Sequence, residues 1–201
     1  LMLPAGVRLI HVRHGETDWN AEGRLQGQLD IPMNEHGRSQ AARNAATLAA
    51  QLSSEGVDPA SLSYVSSPLS RSAETMAIVR KALALPGTAP TDDRLREVSF
   101  GLWSGHTYEE LKQTDARSLV AARKRDKWSF RPPEGETYAD LAARVGAWLE
   151  TVAQDTVAVT HGGVFRVLHG LLAGTPWHDV PNIPAPQDRY AIFYDGTVEL
   201  R

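Results

Sequence analysis

The chain has 201 residues, 42% of them hydrophobic and 22% charged, and a formal net charge of −3. That balance suits one globular domain over residues 1–201 and lacks the basic face that a nucleic-acid partner would need. There is no cysteine, so disulfides, thiolate catalysis and Cys-based metal or iron–sulfur sites are excluded.

No apolar stretch approaches the ~20 residues needed to span a bilayer. Leu1-Met2-Leu3-Pro4 carries no signal-peptide pattern. A soluble cytoplasmic protein with no membrane partner is expected.

In chain order, the apolar run Val7–Val12 reads as a buried parallel strand. The polar stretch Arg13–Asn34 reads as loop. A helix over Glu35–Leu52 aligns Ala41, Ala45, Leu48 and Leu52 in one stripe. Leu62–Ser66 is a second strand, and Ser70–Leu83 a helix with Ala73, Met76, Ala77 and Leu83 on one side. An extended piece is expected over Thr91–Glu97, loop over Val98–Gly105, and short helices around Tyr108–Lys112 and Ala116–Lys127.

Thr137-x-x-Asp140 looks like a capping box opening a helix whose stripe is Leu141, Val145, Trp148, Leu149 and Val152. Strand Thr156–Thr160 follows, then a helix carrying Val164, Leu168, Leu171 and Leu172. Asp195-Gly196 suits the turn of a hairpin between Tyr190–Tyr194 and Thr197–Leu200. This alternation predicts an α/β fold, a three-layer α/β/α sandwich with a mostly parallel central sheet.

Ligand sites in open α/β sheets form beyond the carboxyl ends of strands. Two histidines stand there: His14 in Arg13-His14-Gly15-Glu16-Thr17, and His161 in Thr160-His161-Gly162-Gly163. Arg13 offers a planar, always charged fork for phosphate oxygens, and a neutral imidazole beside it is a competent nucleophile toward phosphorus. Gly15 permits close backbone approach, and its carbonyl is free to set the imidazole tautomer. From these five residues alone, a phosphate-handling loop and an ordinary polar surface loop are both open.

Arg71 sits in the first turn of the helix that follows Ser66-Ser67-Pro68, the wrong end for a cation unless an anion binds there. Pairing with Glu74 or solvent is the alternative reading. His161, between a buried strand and two glycines, describes a second anion site, though a structural histidine also fits. The remaining histidines have no such context, and no spacing suits a metal. Glu97, flanked by Leu95, Val98 and Phe100, is a candidate proton donor because apolar surroundings favour a protonated carboxyl. Pattern alone ranks it no higher than Glu74 or Glu16.

Taken together, these segments resemble the histidine phosphatase (phosphoglycerate mutase-like) superfamily. The likeness rests on Arg13-His14-Gly15-Glu16-Thr17, Asp18-Trp19-Asn20, Gly23-Arg24-Leu25-Gln26-Gly27 and Asp30-Ile31-Pro32-Met33-Asn34-Glu35-x-Gly37. It extends through Ser67-Pro68-Leu69-x-Arg71-Ser72-x-x-Thr75, Leu95-x-Glu97, Gly101-x-Trp103-x-Gly105, Pro133-x-Gly135-Glu136-Thr137 and His161-Gly162-Gly163.

The resemblance implies a phosphohistidine mechanism without metal or cofactor. His14 would attack phosphorus. Arg13, Asn20, Arg71, His161 and Gly162 would hold the phosphoryl group, and Glu97 would serve as acid and then base. It implies a small phosphorylated substrate, and a homodimer as a state frequent in the family.

Primer-dependent mutases of the family usually carry Arg-His-Tyr-Gly after the acid-region Glu and Asn after His-Gly. Here Glu97 is followed by Val98-Ser99-Phe100-Gly101, and position 163 is Gly. These departures favour a phosphatase over a phosphoglycerate mutase. A non-catalytic phosphate-binding module is the third reading. The basic run Arg123-Lys124-Arg125 with Lys127 suits a phosphorylated carboxylate, or simply a solvated helix face.

Overall fold

Strands with apolar residues on both faces set the centre of this molecule. In the computed structural model, which describes residues 1–201, the strands are β1 (Leu9–Arg13), β2 (Ser63–Ser66), β3 (Thr156–Thr160), β4 (Tyr190–Tyr194) and β5 (Thr197–Leu200). They form one sheet in the order β2-β3-β1-β4-β5. β2, β3 and β1 run parallel, whereas β4 pairs antiparallel with β1 and with β5. The sheet is therefore mixed, and the expectation of a mostly parallel sheet holds only for its β2-β3-β1 half. For β4 and β5 the reason is local: a two-residue turn at Asp195-Gly196 joins them with left-handed backbone at both positions (φ 48° and 74°), and such a turn connects only antiparallel strands.

The helices are α1 (Asp18–Glu22), α2 (Glu35–Ser54), α3 (Ser70–Ala82), α4 (Tyr108–Lys112), α5 (Arg117–Arg125), α6 (Tyr138–Leu149) and α7 (Gly162–Ala173). Alternation along the strands divides the core. Ile10, Val12, Val157 and Val159 pack with Ala45, Leu48 and Leu52 of α2 and Met76 and Val79 of α3. Leu9 and Ala158 face the other way, against Leu141, Val145, Val164 and Leu168 of α6 and α7. Two helices on each face of one sheet make the three layers. Leu48 and Leu52 are fully buried; truncating either to Ala costs about 2–5 kcal/mol.

Several elements differ from expectation for identifiable reasons. The polar stretch after β1 contains α1, which begins at Thr17 with a capping box closed by Asn20. In α3 the buried side runs through Ser72, Thr75, Met76 and Val79, while Ala77 is exposed. Thr91–Glu97 makes a single bridge, Ser66 to Thr91, and then turns into a 3₁₀ segment at Asp93–Leu95 because Asp92 caps Arg94 N. Gly101–Trp103 is likewise 3₁₀. No helix is long and apolar enough to cross a membrane.

Candidate active site

The register of β1 and β3 explains how two distant histidines meet. Arg13 is opposite Thr160, and His14 N donates to Thr160 O at 3.0 Å just beyond the pair. His14 and His161 therefore leave neighbouring strands side by side, with ring centroids 5.2 Å apart in an edge-on arrangement. β2 delivers a third loop at the same edge: the Ser67 hydroxyl lies 2.7 Å from His161 Nε2. All three parallel strands thus open on one pocket, where an α/β sheet places its ligands.

His14 is 2% exposed, and its Nδ1 donates to the Gly15 carbonyl at 2.7 Å. That bond fixes the tautomer and leaves Nε2 as the lone-pair nitrogen. Burial, then the nearby Arg13 and Arg71 cations, hold the ring well below the usual histidine range, so it is neutral at pH 7. Gly15 is required by space. A Cβ there would lie 2.1 Å from Gly37 O.

Arg13 is held by the Ala185 carbonyl through one terminal nitrogen, while its buried Nε has no protein partner. Burial lowers it to about 10, which still leaves it cationic at neutral pH. Arg71 is 1% exposed and donates to Gly27 O and Leu29 O, both at 2.7 Å. Its Nε too is unpartnered.

The start of α3 is not the open anion site expected around Arg71. The first amide of α3, Ser70 N, is already taken by Asp30 Oδ1 at 2.8 Å, and Glu74 pairs with Arg38. Arg71 reaches the pocket from its own helix and ties down the 27–29 loop on the way.

His161 is fully buried, its ring edge-on to that of His14. Burial first, then Arg71, His14 and Arg13, hold it well below the normal range. With Ser67 on Nε2, its Nδ1 remains unpartnered. Three of the four buried polar side-chain atoms left without a partner are thus Arg13 Nε, Arg71 Nε and His161 Nδ1. Buried donors are rarely left so, and three gathered at one pocket describe an anion site.

Glu97 lies on the pocket wall. Its carboxylate accepts Val98 N at 2.8 Å and Gly163 N at 3.0 Å, so its surroundings are backbone amides as well as the apolar neighbours read from the sequence. Gly163, rather than Gly162, occupies the wall. Gly162 sits behind Arg13, where a Cβ would lie 3.3 Å from the guanidinium. Asn20 lines the pocket, its Oδ1 engaged by Thr17 N and Gln187 Nε2, both at 3.1 Å. That leaves the Asn20 amide NH₂ for a ligand.

Sequence reasoning missed Ser67, Gln26, Tyr138 and Arg166. Arg166 had a usable signal, since it follows Gly163 by three residues on α7 and so shares its face. Arg24 also lines the pocket but is paired with Glu22 and Glu110. Arg123 of the basic run lies over Tyr108 and Phe100, 5.2 and 5.9 Å from the ring centres.

The model of the histidine phosphatase superfamily (branch 1) matches residues 9–193. The chain is 34% identical over 186 residues to the glucosyl-3-phosphoglycerate phosphatase of Mycolicibacterium vanbaalenii, covering 87% of this chain and 77% of that one. It is 32% identical over 175 residues to a probable phosphoglycerate mutase of Yersinia pestis, covering 83% of this chain and 75% of that one.

 Among solved structures, a mycobacterial glucosyl-3-phosphoglycerate phosphatase complexed with VO3 superposes with a TM-score of 0.76 at 29% identity, covering 98% of this chain and 97% of that one. A family match over almost the whole chain, together with motif loops that converge on one pocket, places this protein in the histidine phosphatase superfamily, branch 1.

Proposed function

We propose that the protein is a metal-independent phosphomonoesterase that hydrolyses a small phosphorylated metabolite through a phosphohistidine on His14. The observation that carries this reading is the Nδ1 bond from His14 to the Gly15 carbonyl, which presents a neutral Nε2 among buried, unpartnered cationic donors.

In the first step His14 Nε2 bonds to phosphorus as the ester P–O bond breaks, and Glu97 delivers a proton to the leaving oxygen. In the second, water attacks phosphorus as the P–Nε2 bond breaks and returns its electron pair to His14, Glu97 takes the water's proton, and inorganic phosphate leaves. Arg13 and Arg71 offset the charge on the equatorial oxygens, joined by the Asn20 amide and His161 Nδ1. With the Ser67 hydroxyl donating to Nε2, Nδ1 carries the hydrogen and is a donor while the ring stays neutral.

The relatives include phosphatases and a probable mutase, and Gly163 favours the phosphatase reading. A Cβ at this position would lie 2.2 Å from Glu97 Oε1, so the side chain usual in mutases does not fit beside Glu97 as it stands. A binding module without catalysis would have no use for a nucleophile, an acid and a tautomer lock together.

The test is turnover of p-nitrophenyl phosphate in EDTA, with a rapid-quench label on His14 that is stable to alkali and labile to acid. Full turnover by His14→Ala would refute the assignment. Interconversion of 2- and 3-phosphoglycerate outpacing phosphate release would favour the mutase.

A further inference from the structure

Behind the wall that carries Glu97, one guanidinium has every N–H engaged. Arg144 of α6 donates to Arg94 O at 2.8 Å, Arg96 O at 2.6 Å and Glu97 O at 2.8 Å. Its Nε and remaining N–H go to Glu136, at 3.0 and 2.9 Å. An arginine has five N–H donors, and all five are used. Glu136 in turn accepts Ser99 N at 2.9 Å, and Gln28 Nε2 donates to Glu97 O at 3.1 Å. The backbone is thus held on both sides of residue 97. Neither Arg144 nor Glu136 lines the pocket.

This rigidity has a local reason to exist. Residues 94–100 hold only a 3₁₀ segment, Asp93–Leu95, with no ladder to fix them. A proton donor must nevertheless stay within hydrogen-bond reach of the leaving oxygen, and a small misplacement is costly.

We infer that Arg144, braced by Glu136, is a positioning residue that aims Glu97 at the leaving oxygen of the substrate. The inference rests on the phosphomonoesterase reading above. It acts only on the proton transfer that accompanies P–O cleavage, so its importance scales with how poor the leaving group is.

The experiment compares kcat/KM for an alkyl phosphate, whose leaving oxygen needs a proton, with that for 2,4-dinitrophenyl phosphate, whose leaving group does not. For Arg144→Lys we expect a loss of roughly 10- to 100-fold on the alkyl ester, part of the roughly 100- to 10,000-fold that a general acid supplies, and less than about 3-fold on the aryl ester. In a Glu97→Gln background the same substitution adds no further loss on the alkyl ester. Glu136→Gln, a smaller perturbation, gives the same selective pattern if Arg144→Lys does not fold. Equal losses on both esters, or an undiminished effect in the Glu97→Gln background, would overturn the positioning role alone. Absence of turnover of either ester by the unsubstituted protein would refute the phosphatase reading instead, and this inference with it.

Discussion

Gly163 N–H donates to Glu97 Oε2 at 3.0 Å, and a Cβ on Gly163 would come within 2.2 Å of the other carboxylate oxygen. The start of α7 and the Glu97 carboxylate, the proposed proton donor, are therefore fitted to each other. Gly163→Ala should displace the carboxylate, since real Cβ contacts do not reach that distance. The expected outcome is a fall of about 10-fold or more in kcat/KM for alkyl phosphates, with vanadate affinity nearly unchanged. Wild-type kinetics in this variant would disprove the coupling.

Gly15→Ala tests the loop that carries His14, the proposed nucleophile. Its Cβ would meet the Gly37 carbonyl at 2.1 Å, backbone against backbone, with no flexible side chain to yield. Overpacking of this kind costs about 1–3 kcal/mol, roughly 2–4 °C of melting temperature for each kcal/mol at this chain length. Thermal unfolding measures it, and an unchanged melting temperature would contradict the close approach.

Arg71→Lys keeps the charge and loses the fork. A lysine cannot hold the Gly27 and Leu29 carbonyls while presenting a further donor to an anion. Vanadate inhibition should weaken by about 10- to 100-fold, the worth of one hydrogen bond to a charged group. Equal inhibition of the variant and the parent would remove Arg71 from the anion site.

Buried neutral histidines set the acid limit of stability. His11 is lowered to about 3 by burial, with Arg13 and His169 adding to it, and His14 and His161 lie well below the normal range. Below pH ~6.5 the unfolded chain takes up protons that the folded one refuses. Their contribution is complete above that pH and lost as pH falls, at up to about 1.4 kcal/mol per pH unit for each histidine. Urea unfolding at pH 7.5 and pH 5 should show this decline, and His11→Asn should reduce its slope by close to one proton. A slope unchanged in that variant would exclude His11 as a source.

Local pattern determined much of this protein. Apolar runs, the Thr137 capping box and the Asp195-Gly196 turn depend on neighbours in sequence, and the elements they mark stand within a few residues of expectation. His14, Arg71 and His161 were legible as candidates because each follows a marked strand, whereas Glu97 was singled out only by the family resemblance. α1 was not legible, since none of its residues is buried and it shows no apolar stripe within a polar stretch.

What only the tertiary structure decided depends on groups far apart in the chain. Packing set β4 antiparallel beside β1, because hydrogen-bond partners outside a hairpin are chosen in space. It gave Gly163 rather than Gly162 the pocket wall, sent Arg71 to two loop carbonyls instead of a helix terminus, and closed Arg144 around the segment that carries Glu97. Periodicity can assign a residue to a face. The partner of a guanidinium or carboxylate is settled only when distant segments pack together and exclude water from the groups between them.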